Sequence, residues 1–107
     1  MPPLPKPIAD YVSANARLDP EGMLQPFAGD AIVRDDGGEH HGQAQIRTWI
    51  QEATLAARAI FTPETCRDDD GALVVDGLTH GDFKGSPIRF TLRFTLDDDL
   101  IRVLEIS

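Results

Sequence analysis

Residues 86–96 read "SPIRFTLRFTL". Ile88, Phe90, Leu92, Phe94 and Leu96 alternate with Arg89, Thr91, Arg93 and Thr95. Strict period two gives a strand one apolar face and one polar face. Working outward, "LDDDL" (96–100) is a turn and "LIRVLEIS" (100–107) a final short strand. Upstream, "ALVVDGLTHGDF" and "RAIFTPETCRD" read as two more strands, the latter weakened by Pro63. No helix interrupts these segments, so they form an antiparallel meander. Ahead of it, "GQAQIRTWIQEATLAA" places Ile46, Trp49, Ile50 and Ala53 on one stripe of a helix over 43–57. "DAIVRD" (30–35) is a short strand. Ile8, Tyr11, Val12 and Asn15 have the spacing of a first helix over 6–17. Asp19 as a cap and Pro20 behind it open a second helix over 20–27. Helices first and a meander after them make an α+β class, with helices packed on one face of a curved sheet. A concave sheet under helices leaves a cavity, the preferred setting for a small-molecule site.

The 107 residues make one domain, spanning 1–107. No apolar run reaches the ~20 residues of a membrane helix, and "MPPLPKPIADY" lacks the apolar core of a secretory signal, so a cytoplasmic protein is expected. A net charge of −8 argues against nucleic acid or an anionic membrane as partner. Cys66 is the only cysteine, which excludes an internal disulfide. It reads as a buried small residue. The acidic runs "RDDDG" and "LDDDL" lie between strands and read as solvated turns, since neither alternates ligands as a calcium loop must.

Chemistry concentrates in "VRDDGGEHHG" (33–42), read as a polar hinge between the first strand and the third helix. Asp35 closes the alternating "DAIVRD", which turns its side chain toward the cavity rim, where a carboxylate serves as a base. The bland alternative is a loop aspartate accepting backbone N–H bonds. Asp36 opens the turn, and Gly37 and Gly38 supply positive φ. His40 and His41 point to opposite sides of an extended segment and make no metal pair; no metal site is expected. His41 is either a cap before the third helix or a proton carrier at the pocket mouth near Asp35. Tyr11 lies on the apolar stripe of the first helix, and Trp49 on that of the third. His80, Asp82 and Asp76 share one strand face, as a His–carboxylate pair or simply an outward polar surface.

The order helix, short helix, "FAGDAIVRD", "HGQAQIRTWI" and antiparallel meander resembles the nuclear transport factor two-like superfamily. "GDFKGSP" between two strands, with "HG…IRTWI" before it, looks most like its SnoaL-like branch, which includes polyketide cyclases. The resemblance covers nearly the whole chain. It implies a cone-shaped half-barrel with an internal pocket, no cofactor, and a homodimer through the sheet face bearing Arg89, Thr91, Arg93 and Thr95. A more distant likeness is to ketosteroid isomerase. Tyr11, sixteen residues before Phe27, then falls on the tyrosine that donates to the substrate carbonyl, and Asp35 on the general-base aspartate. Phe90 stands where that enzyme has a second, protonated aspartate, and Ile50 where a supporting tyrosine sits.

Two readings result. One is a cofactor-free isomerase or cyclase acting on an apolar carbonyl compound. In it Asp35 is the base, Tyr11 the donor and His41 a minor candidate, while Trp49, Ile50, Phe90 and Leu92 shape the pocket. The other is a non-catalytic domain of the same fold that holds a hydrophobic ligand or recruits a protein. The depleted oxyanion site favours the second reading.

Overall fold

The computed structural model describes residues 3–107. Helix α1 spans Lys6–Ala16 and α2 spans Pro20–Leu24; β1 (Phe27–Asp35) and β2 (Gly38–His41) follow. Helix α3 (Gly42–Trp49) runs directly into a π-helical segment, Ile50–Leu55, and the chain closes with β3 (Ile60–Asp69), β4 (Ala72–His80), β5 (Ile88–Asp97) and β6 (Leu100–Ile106). Prolines in the first turns of α1 and α2 sit where a missing N–H costs no helical bond. Asp19 caps α2 by accepting from the Gly22 N–H at 3.1 Å. The second helix ends earlier than expected because the chain is already extended at Phe27.

The six strands form one curved, unclosed sheet in the order β2-β1-β6-β5-β4-β3. The meander β3 to β6 is antiparallel, as its alternation requires. The sheet is mostly antiparallel; the one parallel pairing, outside the meander, is β1 with β6. A long crossover through α3 and the meander separates these two strands, so no hairpin dictates their direction. Pro63 is accommodated because β3 is an edge strand and its register shifts between Pro63 and Thr65.

The stretch 33–42 is not a hinge. It is a β-hairpin in which Asp35 pairs with Gly38 and Val33 with His40. Positive φ falls on Asp36 (51°) and Gly37 (78°), as a two-residue hairpin turn demands, and not on Gly38. The acidic runs are turns of the same kind, with positive φ at Asp70 and Gly71 and at Asp98 and Asp99. Asp36, Asp70, Asp98 and Asp99 therefore serve backbone geometry.

Phe94, Ile8, Met23, Ile46, Ile50, Ile101, Leu104, Val33 and Val75 are fully buried between the helices and the concave face. The outer face is polar and largely internally paired. Arg93 meets Asp69 at 2.6 Å, Arg89 meets Glu64 at 2.8 Å, and Asp76 accepts from Thr91 and from Arg67. Asp76 is thus partnered by Arg67 and not by His80, which is exposed; Asp82 lies 4.0 Å from Arg58. Cys66 is only partly buried, packed at the core's edge, and burial pushes its thiol pKa up. No helix among the described residues is long and apolar enough to cross a membrane.

Candidate functional site

A cavity of about 260 Å³ lies between the concave face, α1 and the helix that continues from α3. Tyr11, Asp35, Trp49, Phe90 and Leu92 all line it. Five residues named from the sequence thus converge from two helices, α1 and α3, and two strands, β1 and β5. Asp35 reaches the cavity because β1 alternates: Ala31 and Val33 are buried inward, and Asp35 follows in the same phase. Trp49 Nε1 donates to Asp35 Oδ2 at 3.0 Å. That bond orients the carboxylate and leaves its other oxygen for a ligand.

Tyr11 is held by its ring. It meets Phe27 edge-on at a centroid distance of 5.7 Å and Phe94 at 5.9 Å. It is only 4% exposed, and its hydroxyl enters no side-chain hydrogen bond among the described residues; since no sealed polar atom there lacks a partner, the hydroxyl opens to the cavity. Burial pushes the hydroxyl well above the usual phenol range, and the Asp35 charge adds to the rise. Tyr11 is therefore a protonated donor throughout the neutral range, beside a carboxylate.

Two candidates fall away. Ile50 is completely buried in the core cluster and does not line the cavity; its side chain is spent on packing. His41 lies on the wrong face of the hairpin. Register pairs it with Ile32, in phase with Arg34 and Glu39, whereas Asp35 shares its face with Val33 and His40. Its ring is 55% exposed and meets Glu39 at 3.0 Å, while its backbone N–H donates to Gln45 Oε1 and starts α3. His40 instead lies near Trp49, ring centroids 6.1 Å apart. Among the described residues no group of three or more His, Cys, Asp or Glu side chains is placed to hold a metal ion.

Several lining residues escape sequence reading. Asn15 pins α1 to β3, donating to the Ala59 carbonyl at 2.9 Å and accepting from the Phe61 N–H at 2.7 Å. Phe83, in the loop between β4 and β5, lies across Gly81, where a Cβ would come within 2.7 Å of the ring and of the Ala57 carbonyl. Thr79 continues the inward phase of Val75 and Gly77, and a lone polar residue in that phase is a legible signal. Thr54 is five residues past Trp49, in the π-helical segment. It is also four past Ile50 and eight past Ile46, so it continues the apolar stripe as a lone polar residue and lines the cavity.

Comparison with known proteins agrees with this architecture. A proposed polyketide cyclase from Sinorhizobium meliloti superposes with a TM-score of 0.91 at 34% identity, over 97% of this chain and 95% of that one. A Catenulispora acidiphila protein with a ketosteroid isomerase-like fold, solved with trimethylamine, gives 0.83 at 18% identity over 98% and 86%. A Mycobacterium tuberculosis protein solved with estradiol-17beta-hemisuccinate gives 0.80 at 16% identity over 94% and 89%. These last two show the fold alone. No curated protein matches the sequence significantly. The SnoaL-like domain family matches residues 8–104. With that match over nearly its whole length, the chain belongs to the SnoaL-like family.

Proposed function

We propose that the cavity binds an apolar carbonyl compound and moves a proton on the carbon next to the carbonyl, as a cofactor-free isomerase or cyclase. The carrying observation is the pairing of a carboxylate and an unpartnered phenol in one apolar cavity: Asp35, oriented by Trp49, and Tyr11. The free Asp35 oxygen takes the α-proton. The C–H electron pair then forms the enolate, whose oxygen accepts the Tyr11 hydrogen bond. In an isomerase the proton held on Asp35 is returned to carbon; in a cyclase the enolate carbon bonds to a second carbonyl carbon of the same molecule, whose C=O π pair becomes an alkoxide that takes the proton, so either way the protein ends unchanged and no electrons leave the substrate. Phe90 and Leu92 supply the apolar wall. The Mycobacterium tuberculosis relative's steroid ester and the cyclase description of the Sinorhizobium meliloti relative are in keeping with this class of ligand.

A second reading has its own observation. Asp35 already accepts one bond from Trp49, and among the described residues it is the only carboxylate lining the cavity, so the same pocket serves a non-catalytic binder. Deuterium uptake at the α-carbon of 2-tetralone in heavy water, followed by proton NMR, separates the two. Uptake well above the buffer rate supports catalysis; uptake at the buffer rate with the ketone bound supports the binder. We further propose that two copies associate through the outer sheet face around Thr91 and Arg93, as the resemblance implies. Sedimentation of the wild type and Arg93→Glu tests this, with a shift toward monomer expected.

A further inference from the structure

The cavity has a second polar end. Thr54 and Thr79 are 7% and 8% exposed and both line the cavity; neither hydroxyl takes part in a side-chain hydrogen bond among the described residues, and since no sealed polar atom there lacks a partner, both hydroxyls open to the cavity. Thr48, on the same helix, spends its hydroxyl on the Ala44 carbonyl four residues back, the usual fate of a helical threonine. Thr54 does not; it lies in the π-helical segment and lines the cavity.

The two threonines belong to one end. Thr79 pairs with Phe61 across β3 and β4. The Ala59 N–H bonds the Thr54 carbonyl at 2.9 Å, and the Asp82 N–H bonds the Ala57 carbonyl at 2.6 Å, so segments 54–59 and 79–82 are in contact. Asp35 is elsewhere. Its row across the sheet runs through Ile106 to Leu92, whereas Thr79 pairs with Ile88. Four residues along β5, roughly 13 Å, and three strand spacings of about 4.8 Å separate the rows before curvature brings them together. The poles are diagonal, with Phe90 and Leu92 of β5 between them. No Lys, Arg or His is among the cavity's lining residues, so the threonine end offers neutral donors and acceptors and nothing to neutralise an anion.

We propose that Thr54 and Thr79 form a binding subsite for a neutral hydroxyl or carbonyl group at the far end of the ligand. The ligand class is then an elongated apolar molecule, uncharged and polar at both ends, with its reacting carbonyl at Asp35 and Tyr11. This rests on the reading of the cavity as a ligand pocket; it does not require catalysis. A buried hydroxyl that loses its ligand partner is costly, so such a site discriminates against analogues lacking the distal group.

The test compares 4-hydroxybiphenyl with 4,4′-dihydroxybiphenyl, titrated to their solubility limits against the full chain. The single tryptophan gives one indole N–H resonance at the cavity wall, which reports occupancy. The diol is expected to bind the wild type about tenfold more tightly than the monohydroxy probe. In the Thr54→Val, Thr79→Val double variant that ratio falls to about one, and in Thr79→Ser, which keeps a hydroxyl, it is largely retained. 4′-Hydroxy-4-biphenylcarboxylate, anionic at one end, is expected to bind more weakly than the diol. An equal affinity of the two phenols for the wild type, a ratio that survives the double variant, or tighter binding of the carboxylate overturns the subsite alone. Failure of every probe to bind overturns the ligand-pocket reading with it. A double variant that loses its dispersed NMR spectrum is replaced by the single Thr79→Val variant, valine being favoured in a strand.

Discussion

Trp49 Nε1 and Asp35 Oδ2 lie 3.0 Å apart, joining the end of α3 to the end of β1 across the cavity wall. The indole thus fixes a carboxylate that otherwise sits at a strand end beside a two-residue turn. Trp49→Phe keeps the apolar wall and removes the bond. It is expected to slow α-proton exchange about tenfold, the rate equivalent of one hydrogen bond, while probe affinity changes by less than threefold. Equal losses in both would make Trp49 a wall and not a positioning residue.

Asn15 carries a structural load that the site depends on. Its amide satisfies the Ala59 carbonyl and the Phe61 N–H at the entry to β3, and the same helix holds Tyr11. Asn15→Ala leaves the buried Phe61 N–H and the half-buried Ala59 carbonyl without their partner, and a loss of about 1–3 kcal/mol is expected in urea unfolding. An unchanged midpoint would show that the entry to β3 is held by other contacts.

The three hairpin turns are not equally comfortable. Two place glycine at the second left-handed position, Gly37 and Gly71; the third places Asp99 there at φ 62°. Asp99→Gly is expected to raise stability by about 0.5–1 kcal/mol, or roughly 4 °C in Tm for a chain of this size. A lower Tm would mean that the Asp99 side chain contributes more than its backbone conformation costs.

Alkaline stability should report on Tyr11. Burial, with Asp35 nearby, raises its folded pKa above the phenol value of about 10 in an unfolded chain. Below pH 10 both states hold the proton and the contribution is complete. As pH rises past the unfolded value toward the folded one, the unfolded chain releases its proton first and the folded state loses ground. Wild-type urea midpoints should therefore fall more steeply above pH 10 than those of Tyr11→Phe. Parallel curves would contradict the buried, protonated phenol.

Much of this was legible, and the failures have physical causes. Period two in β5 and β4 and the helical stripes declared the α+β class, because apolar burial imposes those periods. Asp35, Tyr11, Trp49, Phe90 and Leu92 followed from phase and resemblance. Strand β2 was missed because "GEHH" has no apolar alternation; the Asp36–Gly37 pair was the available hairpin signal. With β2 unread, His41 was given the wrong face. Ile50 was expected at the pocket and lies in the core instead, while Thr54, a lone polar residue on the same stripe, lines the cavity.

The central claim is that Asp35 moves a proton next to a carbonyl held by Tyr11. Deuterium uptake by 2-tetralone measures it most directly, with wild type, Asp35→Asn and Tyr11→Phe compared at equal ligand occupancy. The expected result is catalysed uptake by the wild type, a loss of about 10²–10⁴-fold in Asp35→Asn with the fold intact, and a smaller loss in Tyr11→Phe. Uptake by Asp35→Asn at the wild-type rate would contradict it.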